Sequence, residues 1–369
     1  MRDVVKFAET DEELHASYRL RYKVYIEGMG RLKEKGDHEL KELRDEMDCK
    51  ARAIIAIKND EIAGTMRLFW GGDGDLSPSL KTAYQLESFN AVLSDEKICI
   101  IERLMIDENY RGSATALEIY QEAWFFVVEH DVELVLLSSE PHLINSYLRL
   151  GFRPFGRTYT YPGIGLVVPM MFLPGDHEHL SKVRSPFSML VKQEDAIKYQ
   201  HTESLRAITV STASVVAKSL AEKTDYLNSV LPVDQVNTNQ RPKIFDNIDV
   251  KDIERLLDKS HIISCVEGDH IIAANNAAKT MFVLLSGMVQ VQRPSGEIQA
   301  IIFPGEVIGE IAFLLNVPRS ANIVAATDNV KVLSLDDASM TRLLKYDAPI
   351  ASKILMNLCK ALSYRVINN

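Results

Sequence analysis

Apolar residues recur along this chain with helical spacing in some stretches and strand spacing in others. From Asp11 to Glu27, Leu14, Tyr18, Arg21, Val24 and Tyr25 fall on related turns, which predicts a helix. A charged loop follows, from Arg31 to Asp48. Residues 51–60 (ARAIIAIKND) and 61–70 (EIAGTMRLFW) predict two strands joined at a hairpin-type turn, Asn59-Asp60. Gly71 to Pro78 is a polar loop. Residues 97–106 (KICIIERLMI) are almost continuously apolar, as expected of a strand covered on both faces. Asp107-Glu108-Asn109 breaks that strand. Then YRGSATAL (110–117) opens a helix to about His130, followed by a strand over 132–139 (VELVLLSS). A second helix, PHLINSYLRL, starts at Pro141 and stops at Gly151-Phe152.

From Pro186 to about Leu231 the chain reads as helical, with Leu190, Ile197, Leu205, Ile208, Val215, Val216, Leu220, Leu227 and Leu231 in a broken three-four spacing. The stripe is too irregular for a coiled coil, so it is a connector or, alternatively, a homodimer contact. Pro232 to Pro242 is polar and marks a boundary. Met340 to Val366 is again helical. The pattern predicts an α+β protein: a first domain over 1–187, a helical linker over 188–241 and a second domain over 242–369.

Composition changes this picture little. A chain of 369 residues with 46% hydrophobic and 25% charged positions is an ordinary globular profile of two-domain size. The net charge of -9 argues against nucleic acid as the main partner. Cys49, Cys99, Cys265 and Cys359 stand far apart and are read as reduced thiols. The start, MRDVVKFAET, lacks a signal-peptide core. The run Ile164 to Leu173 contains Pro169 and is too short to span a bilayer. A cytoplasmic location without an integral membrane segment is expected. His177 and His179 lack a third ligand in frame, so no metal is expected.

Gly309 to Ala321 (GEIAFLLNVPRSA) carries the first candidate chemistry. Gly309 lets backbone approach a ligand closely. Glu310 can accept hydrogen bonds from sugar hydroxyls. Ile311 to Leu314 can open a short helix with free amides. Pro318 stiffens the turn before Arg319, whose fork suits a phosphate. The stretch resembles the phosphate-binding cassette of cyclic-nucleotide-binding domains. VEGDHII (266–272), MFVLLSGMVQV (281–291) and IIFPGEVIGE (301–310) resemble successive strands of that family's β-roll. The resemblance implies Glu310 on the ribose hydroxyl. It implies Arg319 and the amides near Ile311 and Ala312 on the cyclic phosphate, with Ser320 and Ala321 completing the cassette. Cyclic AMP is the expected ligand, with cyclic GMP left open by Ser320. The alternative is a roll without ligand, with Arg319 paired to a local acid. No helix-turn-helix follows, which separates the chain from catabolite-activator-type transcription factors. Tyr364 and Arg365 are the candidate lid residues.

In the first domain, the strand, small-residue turn, helix and strand over 97–139 leave amides at a helix start, where a pyrophosphate can sit. With the tyrosine before Gly151-Phe152, this unit resembles GNAT acyltransferases. That resemblance implies that strands 97–106 and 132–139 splay to admit the pantetheine arm. It places the acyl donor on Met105, Ile106, Arg111, Gly112, Ser113, Ala114, Thr115 and Ala116, and makes Tyr147 the general acid. Ala114 and Ala116 stand where glycine is common.

Arg21-x-x-Val24-Tyr25, Asp45-x-x-Asp48, Met66-Arg67-Leu68 and Glu102-Arg103-Leu104 appear in order. This series resembles acyl-homoserine-lactone synthases and the related N-acyl amino acid synthases. Residues 167–187 (VVPMMFLPGDHEHLSKVRSPF) are similar to the end of the latter domain. Glu102 is then the base or water-positioning group. Arg67 and Arg103 recognise the acceptor or hold the acids, and Arg21, Asp45 and Asp48 attend the acceptor. One departure is Ile100, where homoserine-lactone synthases carry a glutamate three residues before the strand arginine. Adjacent Glu102 and Arg103 point to opposite faces unless a bulge intervenes.

These readings converge on a cyclic-nucleotide-regulated N-acyltransferase. It would use acyl-CoA or an acyl carrier protein thioester and acylate an amino acid or similar small amine. A cyclic-AMP-regulated protein lysine acetyltransferase is one alternative. A non-enzymatic nucleotide sensor with a degenerate acyltransferase domain is the other.

Overall fold

Turn chemistry and burial pattern locate most elements. The structure, a computed structural model, describes residues 3–161, 164–190, 198–212, 214–217, 226–227, 230–231, 242–257, 260–276 and 279–368. Packing divides the chain into two units: Met1–Ser138 with Tyr147–Arg153 and Pro169–Ser211, and Ser139–Ser146 with Pro154–Val168 and Thr212–Asn369.

In the first unit β1 (Val4–Phe7) leads to helix α1 (Asp11–Tyr22). Thr10 and Glu13 form a capping box at its start. The predicted helix does continue toward Glu27, but as a wider π-helical turn, Lys23–Gly28. Strands β2 (Arg52–Lys58) and β3 (Glu61–Trp70) are joined at Asn59 and Asp60, both with positive φ, as a type I′ hairpin turn requires. Within the polar loop that follows, Ser77 caps a short helix α2 (Pro78–Ala83) that the apolar spacing does not announce. Next come β4 (Ile98–Ile106), α3 (Thr115–Glu129), β5 (Leu134–Ser139) and α4 (Ile144–Leu150). Short β6 (Arg153–Pro154) and β7 (Tyr159–Tyr161) precede β8 (Gly165–Phe172), which is buried throughout; β7 and residues 165–168 of β8 belong to the second unit. The sheet runs β1-β2-β3-β4-β5-β8-β6, with β7 on β8. Helix α1 packs on one face of its first strands, and α3 on the other.

Helices α5 (His177–Lys182) and α6 (Thr202–Thr212) follow. The helical reading of the linker then fails at Val215 and Val216. They lie in strand β9 (Val215–Ala217), antiparallel to β10 (His261–Cys265), because a free sheet edge there accepts their backbone. Ile197, Leu220 and the boundary 232–241 lie outside the described residues.

The second unit continues with α7 (Val250–Leu256), β11 (His270–Ile272), β12 (Thr280–Ser286), β13 (Val289–Gln292), β14 (Ile298–Ile302) and β15 (Val307–Ile308). It ends with α8 (Glu310–Leu315), β16 (Asn322–Ala325), β17 (Val330–Asp336), α9 (Asp337–Tyr346) and α10 (Ala348–Asn368). Two sheets, β15-β12-β17-β10-β9 and β11-β16-β13-β14, make the β-roll. The flanking helices bury Ile253, Met340, Ile354 and Leu358 against Met281 and Leu333. Among the described residues, no helix is long and apolar enough to cross a membrane.

Candidate active site and nucleotide pocket

Strand β4 resolves the clash between neighbouring Glu102 and Arg103. Thr65 faces Met105 but Arg67 faces Glu102, so Arg103 and Leu104 together stand opposite Met66. This is a β-bulge, and Arg103 takes φ 53 to make it. The bulge turns Arg103 into the same network as Glu102. Arg67 Nη2 donates to Glu102 Oε2 at 2.6 Å, and its Nη1 donates to Asp45 at 2.7 Å and Asp48 at 3.2 Å. Arg103 donates to Asp45, and Arg21 donates to Asp48 at 2.6 Å. The Tyr84 hydroxyl donates to Glu102 Oε1 at 3.2 Å.

Three arginines thus face three carboxylates, nearly out of solvent. Burial works against the Arg67 charge, but Glu102, Asp45 and Asp48 outweigh it and hold its pKa above the usual value. Burial likewise opposes the Asp48 charge, and Arg21 and Arg67 still hold its pKa below the usual carboxylate value. Arg103 Nη1 is buried without a hydrogen-bond partner among the described residues. A pocket of about 580 Å³ has Met47, Phe69 and Leu80 in its wall. Phe69 lies under the Arg67 guanidinium, 4.9 Å from it.

The donor side opens as the resemblance implies. Strands β4 and β5 pair in parallel from Ile98↔Leu134 to Ile100↔Leu136, and the pairing stops there although both strands continue. Past the split, Met105 is buried among Leu20 and Val24. Arg111, Gly112, Ser113 and Ala114 are exposed, Thr115 is buried and Ala116 is half-buried. Gly112 has φ 80 and open space where a side chain would stand. Ala114 at the N-cap of α3 offers no side-chain acceptor to the first-turn amides. Tyr147 hydrogen-bonds Tyr120, whose hydroxyl is pushed well above its ordinary range by burial and by that neighbour. Trp124 stacks on Phe187 beside an apolar cavity of only about 30 Å³. Phe126 is core, and Phe125 is exposed.

In the second unit, a pocket of about 140 Å³ gathers Gly309, Glu310, Ile311, Ala312, Arg319, Ser320 and Ala321. Gly309 has φ 76, and a Cβ there would lie 2.5 Å from Arg319 Nη1, so both conformation and space demand glycine. Buried Arg319 donates to the carbonyls of Gly309 and Thr280. Burial pulls its pKa down to about 10, opposed by Glu310. Its hydrogen-bond acceptors are carbonyls rather than an acid, since the Glu310 carboxylate pairs with Arg365. A buried cation held this way lacks a counter-charge that a phosphate can supply.

Residues 16–173 match the family model described as N-acyl amino acid synthase FeeM, and residues 262–347 match that of the cyclic nucleotide-binding domain. The chain thus joins a stretch that matches the N-acyl amino acid synthase model to a later one that matches the cyclic nucleotide-binding domain. The chain is similar to a cGMP-dependent protein kinase of Caenorhabditis briggsae, 31% identical over 42% of this chain and 22% of that protein. It is also similar to a cAMP-dependent protein kinase regulatory subunit of Mycosarcoma maydis, 26% identical over 38% of this chain and 25% of that protein. The chain spans about a quarter of the length of these curated relatives or less. The structure of FeeM, an N-acyl amino acid synthase from uncultured soil microbes, is similar to the first part. It has a TM-score of 0.41 and 14% identity, covering 52% of this chain and 99% of that one.

In the synthase domain, the motif series identified every member of the network except Tyr84, which sits just past a helix without an apolar stripe. Tyr120, buried inside α3, reads from sequence as core. In the nucleotide-binding domain, Thr280 was invisible because it acts through its carbonyl.

Proposed function

We propose that this chain is a cyclic-nucleotide-regulated N-acyltransferase. It moves an acyl group from acyl-CoA or an acyl carrier protein thioester to the amine of an amino acid or similar small molecule. The observation that carries this reading is the β4 bulge, which brings Glu102 and Arg103, on the strand that parts from β5, together with Arg67 of β3 and Asp45 of the loop before β2. The amine nitrogen attacks the thioester carbonyl carbon, and its proton passes to Glu102 or to water held there. The C–S bond then breaks, and the thiolate takes a proton from Tyr147. Each Glu102 oxygen keeps a second lone pair beyond the bonds from Arg67 and Tyr84. A backbone amide at the bulge suits the oxyanion. Enclosed Arg67 holds the acids, with Arg21 behind it on Asp48. Arg103, with Nη1 unpaired, takes the acceptor's carboxylate. The 580 Å³ pocket, within the roughly 300–1,000 Å³ usual for small-molecule sites, receives the rest of the acceptor.

Cyclic AMP is the regulatory ligand assigned to the second domain. The matched relatives include one named for each nucleotide, so cyclic GMP is its comparison. The narrow 30 Å³ cavity favours short acyl chains, which keeps a lysine acetyltransferase as the second reading. The test is thiol release from thioesters ranging from acetyl to long acyl, on CoA and on carrier protein. Amino acids and a lysine peptide serve as acceptors, with products weighed by mass spectrometry, with and without each nucleotide. Acylated amino acid supports the proposal, and acylated peptide alone supports the second reading. No thiol release with any pair leaves a sensor without enzymatic activity.

A further inference from the structure

The carboxylate assigned to the ribose already has an internal partner. Arg365, near the end of α10, donates Nη1 to Glu310 Oε1 and Nη2 to the Val307 carbonyl. Its Nη2 also lies 3.5 Å from Glu306. The Glu310 side chain is 4% exposed in this arrangement, so a ribose hydroxyl reaches it only by displacing the arginine. Arg365 is also part of the pocket wall. At about 140 Å³ that pocket falls short of the roughly 300–1,000 Å³ that small-molecule sites usually offer. Beside Arg365, Val366 and Ile367 are 80% and 77% exposed.

We propose that Arg365 is a latch, an internal competitor of the ribose for Glu310, whose displacement by nucleotide frees the last turns of α10. This rests on the reading of Gly309 to Ala321 as the nucleotide site. It differs from a lid, because a lid residue gains contacts when ligand binds, whereas the latch loses them. A ligand with different affinities for latched and unlatched forms shifts the population between them, which is what regulation requires.

The test is calorimetry of cyclic AMP and cyclic GMP on the full chain and on Arg365→Ala, with Arg365→Lys as a variant that keeps the charge. Hydrogen exchange of residues 362–368 is followed in parallel. The latch predicts binding about tenfold tighter in Arg365→Ala, for a released contact of about 1.4 kcal/mol, with the lysine variant between. Exchange in the last turns should speed up when nucleotide is added to the wild type. In folded Arg365→Ala it should be fast from the start. Weaker binding in Arg365→Ala, or slower exchange on adding nucleotide, overturns the latch and leaves a lid. Binding by neither protein overturns the nucleotide reading itself. Binding by the variant alone supports a latch too tight for the ligand. If Arg365→Ala does not fold, the lysine variant decides by the same direction of change.

Discussion

Replacing Arg319 with alanine separates a binding arginine from a structural one. Its guanidinium makes two hydrogen bonds, to the Gly309 and Thr280 carbonyls. At about 1 kcal/mol each, their loss destabilises the domain by about 2 kcal/mol. Against this stands the burial of the charge. Burial draws its pKa down to about 10, which corresponds to about 3 kcal/mol of disfavoured ionisation. The two terms nearly cancel, so Arg319→Ala should melt within a few degrees of the wild type. A charge-assisted contact to phosphate contributes about 2 kcal/mol, which is a loss of roughly 30-fold in nucleotide affinity. Calorimetry reads the affinity, and scanning calorimetry without ligand reads the stability. A melting point lowered by many degrees with affinity unchanged would falsify the reasoning and make Arg319 a structural clamp.

Three further outcomes follow from the same physics. Glu102→Gln keeps the hydrogen-bonding shape of the network but removes its base. Turnover should fall by about 100-fold or more while the donor KM holds, and unchanged turnover would make Glu102 purely structural. His261 is buried with both ring nitrogens unpaired among the described residues, and burial pulls its pKa down to about 4. The unfolded chain therefore binds the extra proton first as pH falls below about 6.5. Stability of the second domain should then drop by about 3 kcal/mol between pH 6.5 and 4, and denaturant titrations should show His261→Leu flattening that slope. Gly112→Val places a β-branched residue at φ 80 in open space, so it should cost about 1–2 kcal/mol of stability and raise the donor KM. An unchanged KM would move the donor away from this turn.

Half of the first sheet, β2 to β5, was legible because its signals are local. Asn59-Asp60 announces a hairpin, and the apolar run 97–106 announces a covered strand. The site was legible only as residue types, since the identity of Glu102 and Arg103 says nothing about which way each faces. The bulge that reconciles them is a backbone event. It is fixed by pairing between β3 and β4 and by Arg103 accepting φ 53, for which no local residue gives notice. Val215 and Val216 show the opposite failure. Their spacing fits a helix, but a long-range partner, β10, decides for strand. Tyr84 and Thr280 escaped because one follows a helix of two turns and the other acts through its carbonyl.

The charge count of the network discriminates between acceptors. Arg21, Arg67 and Arg103 balance Asp45, Asp48 and Glu102, so the site has no surplus charge to draw in a bare cation. A lysine side chain would bring an amine and leave Arg103 Nη1 unpaired in a buried site, which costs about 1–3 kcal/mol. A free amino acid brings an amine and a carboxylate together, keeps the site neutral and satisfies that donor. The same logic predicts that Arg103→Gln raises the KM for an amino acid much more than for its amide or a simple amine. Equal losses for all three would remove the carboxylate from Arg103 and return the lysine reading to first place.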